Sequence, residues 1–374
     1  MNSCAICNNE INNSNDTNEH IIPNSIGGRR KVRGFICLDC NNNAGQTWDS
    51  EISKQLNHFN ILFITKRERG TPPSERVKTI SGAEYIIHHE GGMSPSKPNI
   101  KTIHQDGQDK ISIMARDINE ARKMVNGLKR KYKSLDEELV LNQLEQKQEY
   151  LTEPLQVTMS FGGPKAGRSI VKTALALAYE AGITPSACTN ALEYLQNDSK
   201  EACFGFYYSE DLILNRPIKT PLHCVSIYGN PTSGLLIAYV EYFGIQRLIC
   251  CLSDNYSGEE LSRTYALNPI TGKEMDLVVN MKFIDKDEIN KIYNLERYDE
   301  NKMKEAVGLV MPLAIEISQE REETRIISEA YNNAIEKLGI DESEHPSPEQ
   351  LRKLSQLIVE GVWPYISHKL KNNR

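Results

Sequence analysis

Glu19-His20-Ile21-Ile22-Pro23-Asn24-Ser25-Ile26-Gly27-Gly28, then Arg29-Arg30-Lys31-Val32-Arg33, then Gly34-Phe35-Ile36-Cys37-Leu38-Asp39-Cys40-Asn41, is the stretch on which the fold of the chain's first part turns. An acid, a histidine and two β-branched residues ended by Pro23 read as a short strand running into a turn. Gly27-Gly28 supplies another turn, and Gly34–Ile36 a short returning strand. From Asn41 to Leu56 the pattern is helical, with Trp48, Ile52 and Leu56 at i, i+4 and i+8 on one face. The expected order is a hairpin followed by a helix. Glu19 and His20, adjacent on a strand, point to opposite faces, so one can bind while the other reacts.

Cysteines bracket this stretch. Four of the nine fall in the first forty residues, as Cys4-x-x-Cys7 and Cys37-x-x-Cys40. Nine is odd and the N-terminus carries no secretory signal, which argues against a disulfide framework. Two CxxC loops turn four thiolates toward one ion, the arrangement of a structural tetrahedral Zn²⁺ site. A redox role for either pair is the weaker reading. The other five (Cys188, Cys203, Cys224, Cys250 and Cys251) lie among apolar neighbours and read as buried thiols.

In combination, the CxxC, Glu-His-x-x-Pro, Gly-Gly and CxxC-Asn order resembles the zinc-stapled HNH (ββα-metal) endonucleases, in the form similar to phage endonuclease VII. The resemblance covers about residues 1–60. It implies that His20 is a general base, that Glu19 and Asn41 are oxygen ligands of a catalytic divalent ion, Mg²⁺ or Mn²⁺, and that the substrate is DNA, with RNA not excluded. The chemistry agrees: phosphodiester hydrolysis needs a base titrating near neutrality and a cation at the developing oxyanion. The chain departs from the family in several places. Glu19 stands where Asp is commoner, Asn24 is the one candidate for the middle Asn, and Asn41 replaces the final His. Ala44 occupies a position usually acidic, for which Asp49, two turns along, is the candidate substitute ligand. A zinc module that binds nucleic acid without cleaving it is the alternative reading.

Composition frames this. The 374 residues are 39% hydrophobic and 25% charged, an ordinary globular mixture long enough for two or three domains. No apolar run reaches membrane-spanning length, and the expected location is the cytoplasm. Net charge is −6, yet residues 1–80 hold ten Lys/Arg against eight Asp/Glu and the remainder 34 against 42. The densest basic group, Arg29, Arg30, Lys31 and Arg33, is the candidate phosphate contact, and a broad basic coat is excluded.

The expected class is α+β, with a small zinc-stapled head at 1–66, a mixed α/β body at 77–285 and a helical region at 286–374. Ile61–Ile64 reads as a strand and Lys66–Arg76 as a polar linker. Strands are expected at Glu84–His88, Asn99–His104 and Lys110–Ala115, then a helix opening at Asp117, and a charged helix or coil over Leu135–Tyr150. Further on come helices at Arg168–Glu180 and Pro185–Leu195. Strands follow at Ala202–Tyr208, His223–Tyr228, Leu235–Tyr242 and Gln246–Leu252, the last two a hairpin through Phe243-Gly244. Gly162–Ser169 nearly spells a phosphate loop, but Arg168 stands where Lys is required. It reads better as a Gly-rich turn into a helix, whose amides could receive an anion. Helical stripes beyond 286 suit either a core or dimer packing. A large body beside a small head also suits a ligand- or partner-regulated nuclease, as in some antiphage effectors.

Overall fold

The acid-His segment forms the strand Asp16–His20 and the basic segment its antiparallel partner, Lys31–Cys37, in the computed structural model. The structure describes residues 2–105, 108–144, 150–151, 153–157, 159–340 and 345–372. The register pairs Glu19 with Val32 and His20 with Lys31. Alternation across the strand buries Glu19 to 5% exposure and leaves His20 partly open. The ladder shifts register between Asp16 and Asn18, opposite Gly34, whose φ of +69° is open to glycine without the Cβ penalty. The Gly34 N–H donates to the Asp16 carboxylate at 2.8 Å. At the turn end, a Cβ on Gly28 would lie 1.7 Å from the Ile22 carbonyl oxygen, so no other residue fits there.

After the hairpin the chain runs through Leu38–Ala44, a wide π-helical turn at Gly45–Asp49, then Ser50–Gln55 and Asn57–Leu62. Ile52 and Leu56 are buried and Trp48 packs beside them, as their spacing predicts. The strand expected at Ile61–Ile64 is instead the end of the last helix and the turn beyond it. Phe59 and Phe63, four residues apart, present one face and pack on Phe243 at centroid distances of 5.4 and 5.7 Å, Phe59 tilted and Phe63 stacked. That face decides the local period.

The chain divides into two compact units. One combines residues 1–72 with 159–317, the other 73–158 with 318–374. At the centre of the first lies the helix Gly163–Glu180, buried on nearly all sides from Ala166 to Ala178. Against it packs a six-stranded antiparallel sheet in the order Phe204–Phe206, Gln246–Ser253, Leu235–Tyr242, His223–Asn230, Leu261–Leu267, Glu274–Met275. The expected hairpin is present, turning through Phe243 and Gly244 at φ of +58° and +75°. Side chains alternate between two cores: Leu236, Ala238, Val240 and Tyr242 face the helix, whereas Leu235, Ile237 and Tyr239 face a second cluster with Leu277, Met281 and Ile289. Cys250 and Cys251 lie in this buried sheet.

The second unit holds a four-stranded sheet in the order Leu155–Gln156, Glu75–Thr79, Glu84–Ile87, Met93–Pro95, and a hairpin of Asn99–Gln105 with Gln108–Met114. Glu75–Thr79 begins inside the expected linker. Asp117 caps the helix Ile118–Lys129, accepting from the Glu120 N–H at 2.8 Å. Glu137–Asn142 is helical, while residues 145–149 of the expected Leu135–Tyr150 element lie outside the described residues. The division between units falls within the long helix Glu300–Leu338, and Pro348–Asn372 forms the last helix. Among the described residues no helix is long and apolar enough to cross a membrane.

His223 bolts the hairpin turn to the sheet. Fully buried, its Nε2–H donates to the Ile26 carbonyl at 2.7 Å, and its Nδ1 accepts from the Phe243 N–H at 3.1 Å. Burial pushes its pKa from 6.5 down to about 3. The unfolded chain therefore binds one proton more between those values, so stability is complete above pH 6.5 and is lost as pH falls toward 3. One such proton gives a slope of about 1.4 kcal/mol per pH unit. In denaturant titrations His223→Gln should lower stability at pH 7 by about 1–3 kcal/mol. It should also flatten the pH 3–6.5 slope relative to wild type; an unchanged slope would show that His223 is not the group responsible.

Candidate functional site: a zinc-stapled hairpin and helix

Cys4, Cys7, Cys37 and Cys40 converge, their sulfur atoms all within 4.8 Å of one another. A tetrahedral zinc–thiolate site spaces its sulfurs at about 3.8 Å, given a Zn–S bond of about 2.3 Å. The Sγ atoms of Cys7 and Cys37 are 3.7 Å apart. The Cys37 N–H points at the Cys4 sulfur at 3.4 Å. Burial opposes ionisation of Cys4, but backbone N–H groups of Cys7, Cys37 and Ile6 outweigh it and hold the thiol below its ordinary pKa. Four sulfurs at this spacing, one already receiving hydrogen bonds as a thiolate would, fit zinc.

Beyond the cysteine cluster the hairpin separates its two key side chains. His20 Nε2 lies 2.9 Å from Glu68 Oε2, and Lys31 Nζ lies 2.6 Å from the same oxygen. Burial holds the imidazole below its ordinary pKa despite the Glu68 hydrogen bond. Lys31 first, and His20 second, pull the Glu68 carboxyl down to about 2. The Glu68 N–H donates to Asn24 Oδ1 at 2.9 Å, so Asn24 holds the segment that carries this carboxylate.

On the inner face, Glu19 Oε1 accepts from Lys172 Nζ, and Asp49 Oδ2 accepts from the same ammonium at 2.7 Å. Ser169 Oγ donates to the other Asp49 oxygen at 2.6 Å. Glu19 and Asp49 are thus brought together, but around the side chain of a fully buried lysine from the central helix. Asn41 is half-buried on the helix after Cys40. Of the donor set expected for a second, divalent ion, both Asp49 oxygens and Glu19 Oε1 are engaged by Ser169 and Lys172 in this conformation.

The basic group is dispersed onto internal partners. Arg29 Nη2 donates to the Lys66 carbonyl at 2.7 Å, and Arg30 pairs with Glu274 at 2.5 Å and Glu180 at 3.4 Å while lying over the Tyr265 ring. Arg33 pairs with Asp16 at 3.1 Å with 70% of its side chain exposed.

The near-phosphate loop has a structural role. Gln55 exchanges two hydrogen bonds with the Gly162 backbone, both at 2.9 Å. Arg168 lies over the Tyr194 ring and pairs with Asp198 at 2.9 Å. The strand nearest before the loop among the described residues, Leu155–Gln156, does not lead into it.

Sequence reading missed Lys172, Ser169 and Glu68. Lys172 had a signal: it is the one charge in Ile170–Ala178, an otherwise apolar and small-residue run bar Thr173. Such a charge on a buried helix demands a partner. Glu68 had none, sitting among the charges of a polar linker.

Purified protein should carry about one zinc per chain by metal analysis, and Cys40→Ser should lower that content. Strong chelation should expose residues 1–60 to proteolysis, since such sites contribute on the order of 10 kcal/mol to folding. Retention of protease resistance after complete zinc removal would contradict this.

Residues 4–57 match the family model for HNH endonuclease. No curated protein and no solved structure matches the chain. With the four-cysteine cluster, the hairpin and the following helix all falling inside or at the edge of the matched span, the N-terminal region of this chain carries an HNH endonuclease domain.

Proposed function

We propose that the protein is a metal-dependent endonuclease that hydrolyses phosphodiester bonds of DNA, with His20 as the general base and Mg²⁺ or Mn²⁺ as cofactor. The observation that carries the reading is the placement of His20. It lies on a zinc-stapled hairpin, partly open to solvent, with one ring nitrogen held by Glu68. A carboxylate that accepts the Nε2–H fixes the tautomer and leaves the Nδ1 lone pair to take a proton from water. Burial favours the neutral imidazole, the form that acts as base. Glu68 is a positioning residue here, oriented in turn by Lys31 and by the Asn24 side chain.

Supercoiled-plasmid cleavage tests this. Wild type should nick or linearise DNA with Mg²⁺ or Mn²⁺ and not with EDTA, and His20→Ala should lose about 10²- to 10⁴-fold in rate. Engagement of Glu19 by Lys172 favours one other reading, a zinc module that binds nucleic acid without cutting it. In that case zinc-loaded protein leaves both DNA and RNA intact, while His20→Ala binds them as wild type does.

A further inference from the structure

Lys172 is used by no step of that chemistry, yet it occupies the inner face of the same hairpin. Its side chain is fully buried midway along Gly163–Glu180 and donates to Glu19 and Asp49 together. Ser169, one turn earlier on the same helix, takes the remaining Asp49 oxygen. Two carboxylates and one ammonium leave a desolvated group with a net charge of −1. A hard divalent ion seeks the same carboxylate oxygens. An ammonium within hydrogen-bond distance of them repels that ion and competes for the lone pairs it needs.

We infer that Lys172 is an internal cation standing on the carboxylate that a divalent ion requires, so that metal enters at Glu19 only when Nζ gives way. The helix that organises the first unit thereby sets the divalent affinity of the site. This rests on the nuclease reading for the role of Glu19 as ligand, but binding can be measured without cleavage.

The test is Mn²⁺ binding to full-length, zinc-loaded protein, read from the electron paramagnetic resonance signal of free Mn²⁺. Lys172→Met should bind Mn²⁺ at least about tenfold tighter than wild type, a repulsion worth about 1.4 kcal/mol. Adding Glu19→Gln should erase the gain. A variant that merely loosened the fold would bind more weakly, the opposite sign. Should Lys172→Met fail to fold, Lys172→Met/Asp49→Asn retains the net −1 of the buried group, and it should bind tighter than Asp49→Asn alone. Affinity unchanged or weakened in both comparisons would overturn the inference. Tighter Mn²⁺ binding with no cleavage of DNA or RNA by any form would remove the nuclease reading and leave the competition standing.

Discussion

Three elements of the first unit meet at one buried ammonium. The hairpin supplies Glu19, the wide helical turn Asp49, and the central helix Lys172 with Ser169. Charges removed from water are tolerated only when paired and hydrogen-bonded, and loss of one partner leaves an uncompensated ion that costs about 3–5 kcal/mol. The contact therefore fixes how the four-cysteine segment lies on the helix more narrowly than apolar packing could. The π turn at Gly45–Asp49 belongs to the same constraint. By widening the helix, with the Ser50 N–H bonded to the Gly45 carbonyl, it changes the phase at which Asp49 leaves the axis.

Other polar contacts tie the hairpin down along its length. Tyr179 on the central helix donates to the Gly34 carbonyl at 2.7 Å, at the glycine where the ladder shifts. Tyr265 on the sheet accepts from the Arg29 and Arg30 N–H groups at 3.3 and 3.0 Å, and His223 holds the turn at Ile26. Each satisfies a backbone group that would otherwise be buried unpaired. Phe35, Ile52, Ile170 and Val240 accordingly belong to one continuous apolar cluster, and the four-cysteine segment shares its core with the sheet. An appended head would have needed a core of its own, which at some sixty residues is marginal.

What could be read from the sequence was whatever depended on local period and local spacing. The two CxxC pairs, the hairpin, the Trp48–Ile52–Leu56 face and the Phe243-Gly244 turn are all decided within a few residues of themselves. The misreadings share a cause in distance along the chain. Ile61–Ile64 looks like a strand until Phe59 and Phe63 find Phe243, some 180 residues later. Lys172 is separated from Glu19 by 153 residues, so only its isolation in an apolar helix pointed to a partner, without saying which.

The basic group shows how pairing changes the meaning of charge. Counted along the sequence, Arg29, Arg30, Lys31 and Arg33 form a phosphate-sized cluster; in the fold each is matched to an oxygen of the protein itself. Arg29 and Arg30 hold carbonyl and carboxylate groups that fasten the turn, so releasing them to a ligand would loosen the hairpin. Lys31 and Arg33 differ, because their pairs with Glu68 and Asp16 are part-exposed. Exposed pairs of this kind are worth about 1 kcal/mol or less, so a phosphate oxygen can replace a carboxylate at little cost. A phosphate that took Lys31 from Glu68 would leave that carboxylate bonded to His20 alone. Glu68 thus stands between Lys31 and the imidazole of His20, paired with both.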